Sequence, residues 1–417
     1  MNIQHENLSP FVVLGDFTPV KPSPPIPQET LCQLLALGMA KAKCIESGIE
    51  SDEEADAILQ DVKTKIKHYG LAPKYIKQRC VTMGVSQYDS GIDQQLTENG
   101  SFAESEIESP LFHDLIRNHT NPKGAHLGER MVLFDKGAGE CIEKMYKEVQ
   151  EPPDDIIHVS CSGYLAPSPV EKFVSKREWV NTTVTHSYHM GCYGSLPAIR
   201  MALGFLSFSF FGITPPKSRI DIVHTEMLSN HGDLSDDSPE SIIVNTLFGD
   251  GFIKYSAFTE EEAKKRQLRG LKIIALKENI ISDSINDMGL NPGQYSFHAS
   301  LSIRIPFIIK DNIRPFVISL LQQVGMDFDK EKDNLAYAIH AGGPLIVKCV
   351  SEKLGLTKKQ VKFSEKVFYE NGNLSSVTIP YTLHEVINSD DIPVGTIVLS
   401  IGFGPGLTVS GMVLEKV

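Results

Sequence analysis

The sequence predicts an α/β protein in which helices cover mostly buried sheets, and three observations lead there. Short apolar runs alternate with helix-spaced segments along most of the chain, as where "DDIIHVSCSGYL" gives way to "SLPAIRMALGFLSFSFFG", and such alternation is characteristic of layered α/β folds. With 417 residues, 41% of them hydrophobic, the chain can bury the core of one large domain or of two or three intimately packed ones. Both halves also place a polar reactive residue at a strand-to-helix corner, which points to a duplicated architecture without internal sequence identity to mark it.

Element by element, residues 11 to 17, "FVVLGDF", read as a first buried strand. The next stretch, "TPVKPSPPIPQE", is too rich in proline for a helix or a central strand and is expected to cross the surface. Leucines and alanines recur at helical spacing from Gln28 to Ile45, and a second helix, charged on one side, is expected over Asp52 to Tyr69. The polar, acidic "QYDSGIDQQLTENGSFAESEIESP" reads as a mobile loop whose Asp89 to Glu108 segment forms a wall or lid. A glycine-containing helix in "GAHLGERMVLFDKGAGECIEKMYKEV" precedes a strand at Ile156 to Cys161, another at Thr183 to Tyr188, and a helix opening near Gly194. "RIDIVHTEMLS" is a strand, and "IIVNTLFGDGFIKYSAF" is an apolar segment broken by a Gly-Asp-Gly turn. In the second half "NLAYAIHAGGPLIVKCVSEKLGL" reads as strand, glycine turn and helix. "NGNLSSVTIPYTLHEVI" follows as turn and helix, and "GTIVLSIGFGPGLTVSGMVLEKV" as two strands around a glycine turn.

Composition narrows the class. The formal charge of -12 is spread along the chain and disfavours a nucleic-acid partner. Seven cysteines, at 32, 44, 80, 141, 161, 192 and 349, form no CxxC pair, as suits a reducing compartment. The N-terminal residues lack a secretory pattern and no apolar run reaches membrane-spanning length, so a cytoplasmic location without a membrane span is expected.

Three residues stand where chemistry is expected. Cys192, in "VTHSYHMGCYG", falls between a strand and a helix that admits Pro197 in its first turn. Free N-H groups at a helix start favour an anion, so a thiol there can be held as a nucleophilic thiolate, with Gly191 and Gly194 allowing close approach of a carbonyl. The local pattern equally fits an inert core cysteine, and, more weakly, a metal ligand with His186 and His189, although no Cys/His cluster has zinc spacing. His340, followed by Ala341, Gly342 and Gly343, can aim a ring N-H at a developing oxyanion or can tie the turn. Asn373, in "YENGNLSS", can cap a turn or donate its amide N-H to the same oxygen; it cannot act as a base. "LFGDGF" and "GFGPGLT" read as close-packing turns that shape a cavity floor, bringing Phe252, Gly404 and Pro405 to the pocket.

Taken with their flanks, "GCYG", "LFGDG", "HAGGP", "NGNLSS", "GFGPGLTVSGMVLEKV" and the upstream "GERMVLFDKGA" resemble the chalcone synthase-like type III polyketide synthases among the thiolase-fold condensing enzymes. The match runs over residues 125 to 417 and is looser before that. The resemblance implies a five-layer αβαβα fold of two pseudo-duplicated halves, 1–265 carrying the nucleophile and 266–417 the histidine and asparagine. It implies a homodimer, a pantetheine tunnel, and no tightly bound cofactor or metal. The implied substrates are acyl-CoA and malonyl-CoA, or acyl carrier protein thioesters. Cys192 would take the acyl group, and His340 and Asn373 would stabilise the enolate formed when a malonyl thioester loses carbon dioxide. Repeated extension would give a pyrone or phenolic secondary metabolite. Competing readings are a single ketosynthase III-like condensation, the joining of two β-ketoacyl chains, acyl transfer to an alcohol or amine, and a non-catalytic scaffold. Plant members carry a gatekeeper phenylalanine where this chain has His231 or Gly232, and His189 also departs from the plant pattern; both are expected at the pocket.

Overall fold

The computed structural model describes residues 11–82, 111–112, 115, 120–208 and 215–417, so the proposed lid at Asp89 to Glu108 lies outside the described residues. The chain opens with β1 (Val12–Val20), β2 (Ile26–Pro27), α1 (Gln28–Ser47), α2 (Asp52–Tyr69) and β3 (Gln78–Arg79). After α3 (Leu127–Met145) come β4 (Asp155–Ser160), α4 (Pro169–Lys176), β5 (Thr183–Tyr188) and α5 (Ser195–Phe208). Then follow β6 (Arg219–Glu226), α6 (Pro239–Leu247), β7 (Gly251–Thr259) and α7 (Glu260–Lys265). The remainder begins with β8 (Leu271–Ile280), the hairpin β9 (Met288–Pro292) and β10 (Phe297–Leu301), α8 (Ile305–Gln322) and α9 (Phe328–Glu331). It ends with β11 (Ala336–Ile339), α10 (Pro344–Leu354), α11 (Lys358–Asn371), α12 (Thr378–Asn388), β12 (Ile397–Gly404) and β13 (Thr408–Lys416).

Nine of the described strands form one sheet in the order β11-β12-β13-β8-β1-β7-β6-β4-β5. Within it one pairing pattern occurs twice. β4 is parallel to β6, β6 antiparallel to β7, and β7 antiparallel to β1; in the same way β11 is parallel to β12, β12 antiparallel to β13, and β13 antiparallel to β8. Among the described residues the two half-sheets are joined edge to edge where Val13 and Leu14 pair with Lys272 and Leu271. This is the duplicated thiolase-like architecture.

Alternation along each strand builds the layers. Ile157 and Val159 of β4 share a core with Leu196 and Ile199 of α5, with Ile379 and Leu383 of α12, and with Val398 and Met412 of the other half-sheet. α5 and α12 are therefore the middle layer. Ile156 of β4, pointing the other way, packs with Phe134 of α3 and Phe173 of α4, while α8 and α10 cover the outer face of the second half-sheet. The result is helix, sheet, helix, sheet, helix.

Local signals account for the element ends that matter. α2 starts at Ser51, whose hydroxyl accepts from the Glu54 N-H, with Asp52, Glu53 and Glu54 in the first turn and Lys67 and His68 in the last, each sign complementing the helix dipole. One expectation is corrected. The proline-rich segment starting at Thr18 does not leave the sheet at once, because Thr18, Pro19 and Val20 continue β1 against Lys254, Ile253 and Phe252. Past Leu14 that strand has no partner on its β8 side, and an edge tolerates a proline that lacks the N-H.

Candidate active site

The turn after β5 is built to present one side chain. His189 has φ 57° and Gly191 φ 70°, and between β5 and α5 the chain makes a single 3₁₀ turn, Gly191–Tyr193, with Cys192 at its centre. Gly191 meets two demands: the left-handed backbone, and the approach of the Pro405 ring, which a Cβ would overlap. Its N-H donates to Cys161 Sγ at 3.0 Å. Pro405 and Gly404 thus form the bed of the cysteine turn, and Tyr193 rests on Gly404 for the same lack of a Cβ.

Asn373 is held from several sides. Its backbone N-H donates to Leu247 O and its carbonyl accepts from Gly249 N-H, both at 3.0 Å, so the "LFGDG" turn fixes the backbone of the asparagine. The side-chain Oδ1 accepts from Ser375 N-H at 2.8 Å, which orients the amide. Nδ2 then donates to Gly342 O at 3.2 Å and stands 4.0 Å from Cys192 Sγ. His340 follows β11 and donates its backbone N-H to Ile401 O at 2.8 Å. Its ring folds over the same glycine turn: a Cβ added at Gly342 would stand 3.2 Å from Nε2. Both ring nitrogens are buried with no hydrogen-bond partner, which buried polar atoms rarely are. The amide of Asn373 therefore touches the histidine turn and the cysteine sulfur at once.

A cavity of about 920 Å³ opens at Cys192, lined at this end by Cys161, Gly191, Cys192, Ser375 and Pro405, with His340 and Asn373 behind the lining. His231 and Gly232 line it too, as does Phe297 of β10. His231 Nε2-H donates to Ser162 O at 2.7 Å. Not all expected pocket residues reach the cavity. Phe252 points to the other face of β7, into the core with Met131, Phe134 and Val223, because the register of that strand turns it away. Gly404 is covered by Tyr193, and His189 packs edge-on against Phe297, behind the lining. Among the described residues no group of three or more His, Cys, Asp or Glu is placed to hold a metal ion, and no helix is long and apolar enough to cross a membrane.

The family model for the C-terminal domain of chalcone and stilbene synthases matches residues 271–417. Probable polyketide synthase 1 of Dictyostelium discoideum is 24% identical over 334 residues, 76% of this chain and 10% of that protein. Type III polyketide synthase 21 of Oryza sativa subsp. japonica is 28% identical over 248 residues, 57% of this chain and 59% of its own length. The crystal structure of PKS-I from the brown alga Ectocarpus siliculosus superposes with a TM-score of 0.75 at 17% identity, covering 99% of this chain and 100% of that one. The chain is similar to type III polyketide synthases over these stretches and shares their fold. The matched segments span less than two thirds of the first two curated relatives.

The electrostatics of this site depart from the sequence expectation at one point. A thiol at a helix opening is expected to be acidified. Instead, burial pushes the Cys192 thiol up to about 11, against hydrogen bonds from Ser375 and Asn373 that favour the thiolate. Desolvation wins because the sulfur is closely surrounded, although the residue keeps some surface in the cavity. Burial likewise lowers His340 to about 3, so its imidazole is neutral.

Reasoning from sequence missed three neighbours of the nucleophile. Ser375, left-handed at φ 51°, stands near Cys192, where its hydroxyl favours the thiolate. Cys161 directly follows β4, whose last residue Ser160 pairs with Tyr188 of β5. Glu226, fully buried, accepts from Cys161 N-H at 3.0 Å and from Ser162 Oγ at 3.1 Å, and Ser376 Oγ also donates to it. Burial raises its carboxyl to about 7. The hydroxyl pair in "NLSS" and the polar "SCSG" are the signals that point to them.

Proposed function

We propose that the chain is an acyltransferase that forms carbon-carbon bonds by decarboxylative Claisen condensation. The observation that carries this reading is the Asn373 amide standing between Gly342 O and Cys192 Sγ, beside a buried imidazole with two unpartnered nitrogens. An inert core cysteine needs neither.

The cycle follows from the residues. Cys192 Sγ attacks the carbonyl of an acyl-CoA thioester; the new carbon-sulfur bond forms as the bond to coenzyme A breaks, and the coenzyme leaves as its thiol with the proton that Cys192 gave up. His340 takes that proton in passing. Burial disfavours either charge alone, but moving the proton from sulfur to ring creates two opposite charges together, and the Asn373 and Ser375 donors favour the anion. A malonyl thioester then loses carbon dioxide, the electron pair of the broken carbon-carbon bond remains as an enolate, and its oxygen accepts from Asn373 Nδ2-H and the ring N-H of His340. The enolate carbon attacks the acyl-cysteine carbonyl, the carbon-carbon bond forms, and the Cys192 thiolate is released. A buried, water-poor site strengthens each of these interactions.

The proposal extends to malonyl-CoA as extender and to acyl-CoA or acyl carrier protein as donor, to a homodimer in the cytoplasm, and to a division of labour between residues 1–265 and 266–417. Purified protein incubated with an acyl-CoA and labelled malonyl-CoA tests it. Products longer by several two-carbon units support iterative extension, one unit supports a single condensation, and ester formation without carbon dioxide release supports acyl transfer. Loss of the acyl adduct in Cys192→Ala identifies the nucleophile; no adduct in the unaltered protein overturns the reading.

A further inference from the structure

α6 ends beside the reactive asparagine, and its end is closed by side chains from far earlier in the chain. A helix leaves the carbonyls of its last turn without intrahelical partners. Here each finds one. Asn245 O accepts from Arg79 Nη1-H at 3.0 Å, and Phe248 O accepts from the same nitrogen. Thr246 O accepts from Gln28 Nε2-H at 2.8 Å, and Leu247 O from the Asn373 backbone N-H at 3.0 Å. Gln28 is itself oriented by Arg79, whose Nε-H donates to its Oε1 at 2.7 Å. The one carbonyl that Arg79 and Gln28 leave open is therefore the one that holds Asn373.

The stem of Arg79 supports the same residue from a second side. Gly372, which precedes Asn373 and has φ 72°, packs on it so closely that a Cβ there would stand 2.8 Å from Arg79 Cδ. A Cβ at Gly249, whose N-H donates to Asn373 O, would stand 3.4 Å from Arg79 Cβ. The arginine is 3% exposed, and its three hydrogen bonds all go to amide oxygens, none to a carboxylate. Its charge is thus directed at the negative end of α6. The rigid planar fork lets one side chain reach two carbonyls and a glutamine at once, which the single ammonium of a lysine does not do. Resting on the condensing-enzyme reading above, we propose that Arg79 is a positioning residue for decarboxylation. It fixes the end of α6, and with it the Asn373 backbone, so that the amide stands where the enolate oxygen forms. It acts through Asn373 and takes no part in bond making.

Two readouts test this, and they fail separately. The first is geometric. In a crystal structure of Arg79→Met the Asn373 Nδ2 is expected to stand farther from Cys192 Sγ than the 4.0 Å of the unaltered protein, by about 1 Å. An amide that has not moved overturns the proposal. The second is kinetic. Carbon dioxide release from malonyl-CoA is expected to fall about 10²-fold in Arg79→Met, the usual effect of a misplacement of that size. Acylation of Cys192 by an acyl-CoA, which does not use the amide, is expected to change by less than about threefold. In the Asn373→Ala background the same substitution is expected to lower carbon dioxide release no further, because residues that act as a unit are not additive. A role in stability alone lowers both rates in proportion to the folded protein lost and adds to Asn373→Ala; either result overturns the proposal. If Arg79→Met does not fold, Arg79→Lys, which keeps the charge without the fork, is put through the same structure and the same rates, and the same outcomes decide. A displaced amide in a protein that releases no carbon dioxide even when unaltered upholds the positioning and removes the condensing reading.

Discussion

His231 and Phe297 lock together in the wall of the cavity. The Phe297 N-H donates to His231 Nδ1 at 3.0 Å, and the two rings stack with centroids 4.5 Å apart and planes 12° from parallel. Since Nδ1 accepts, Nε2 carries the proton that is given to Ser162 O. One neutral imidazole thus ties the β9-β10 hairpin to the end of β4.

His231→Phe keeps the stack and removes both hydrogen bonds. Ser162 O and Phe297 N-H then lose a partner, at about 1–3 kcal/mol for each one left buried and unsatisfied. The expected result is a melting temperature lowered by several degrees and a changed product-length distribution, seen by calorimetry and by product mass. A variant with unaltered stability and products shows the lock to be incidental.

Acid should destabilise the fold before ordinary carboxylates titrate. Burial lowers His231 to about 4 and His158, His224 and His340 each to about 3. Between the unfolded value of about 6.5 and those values the unfolded chain binds more protons, so stability present above pH 6.5 is lost as pH falls. Glu226, raised to about 7, has the opposite sign and offsets one of the four. The remaining slope approaches about 4 kcal/mol per pH unit near pH 5, at about 1.4 for each of three protons. Denaturant midpoints measured from pH 7.5 to 5 check this; a flat profile contradicts it.

Alkylation of Cys192 reports the balance between burial and the helix opening. With the thiol raised to about 11, the rate with iodoacetamide is expected to climb about tenfold per pH unit from pH 7 to 9. Ser375→Ala removes a donor to the sulfur and should slow it further. A rate already constant at pH 7 means that the resting sulfur is ionised.

Asn373→Ala is expected to retain acylation of Cys192 and to lower malonyl-CoA decarboxylation by about 10²-fold, the usual cost of one lost oxyanion donor. Adduct mass and carbon dioxide release measure the two steps independently. Equal loss of both assigns the amide to the fold of the site instead.

Gly191→Ala should remove acylation. Its Cβ meets the Pro405 ring and its φ of 70° disfavours any side chain. Adduct mass at matched secondary structure by circular dichroism is the check, and a fully acylated variant overturns the role given to this turn.

Much of this protein was legible in one dimension because local physics sets it. The bounds of α2 follow from Ser51, its acidic first turn and Gly70, and β5 ends where His189 and Gly191 break the strand. Cys192, His340 and Asn373 stand out in sequence because each lies beside glycines at a chain reversal. Other properties depend on partners far along the chain. Ser375 and Cys161 come beside Cys192, and Glu226 beside Cys161, only through the packing of the turn before α12 with β4 and β6, and Phe252 leaves the pocket because the pairing of β7 sets the face it occupies. The acidity of the thiol was likewise decided in three dimensions. A helix opening is a local feature, whereas desolvation sums over every atom that the fold brings within a few ångströms of the sulfur.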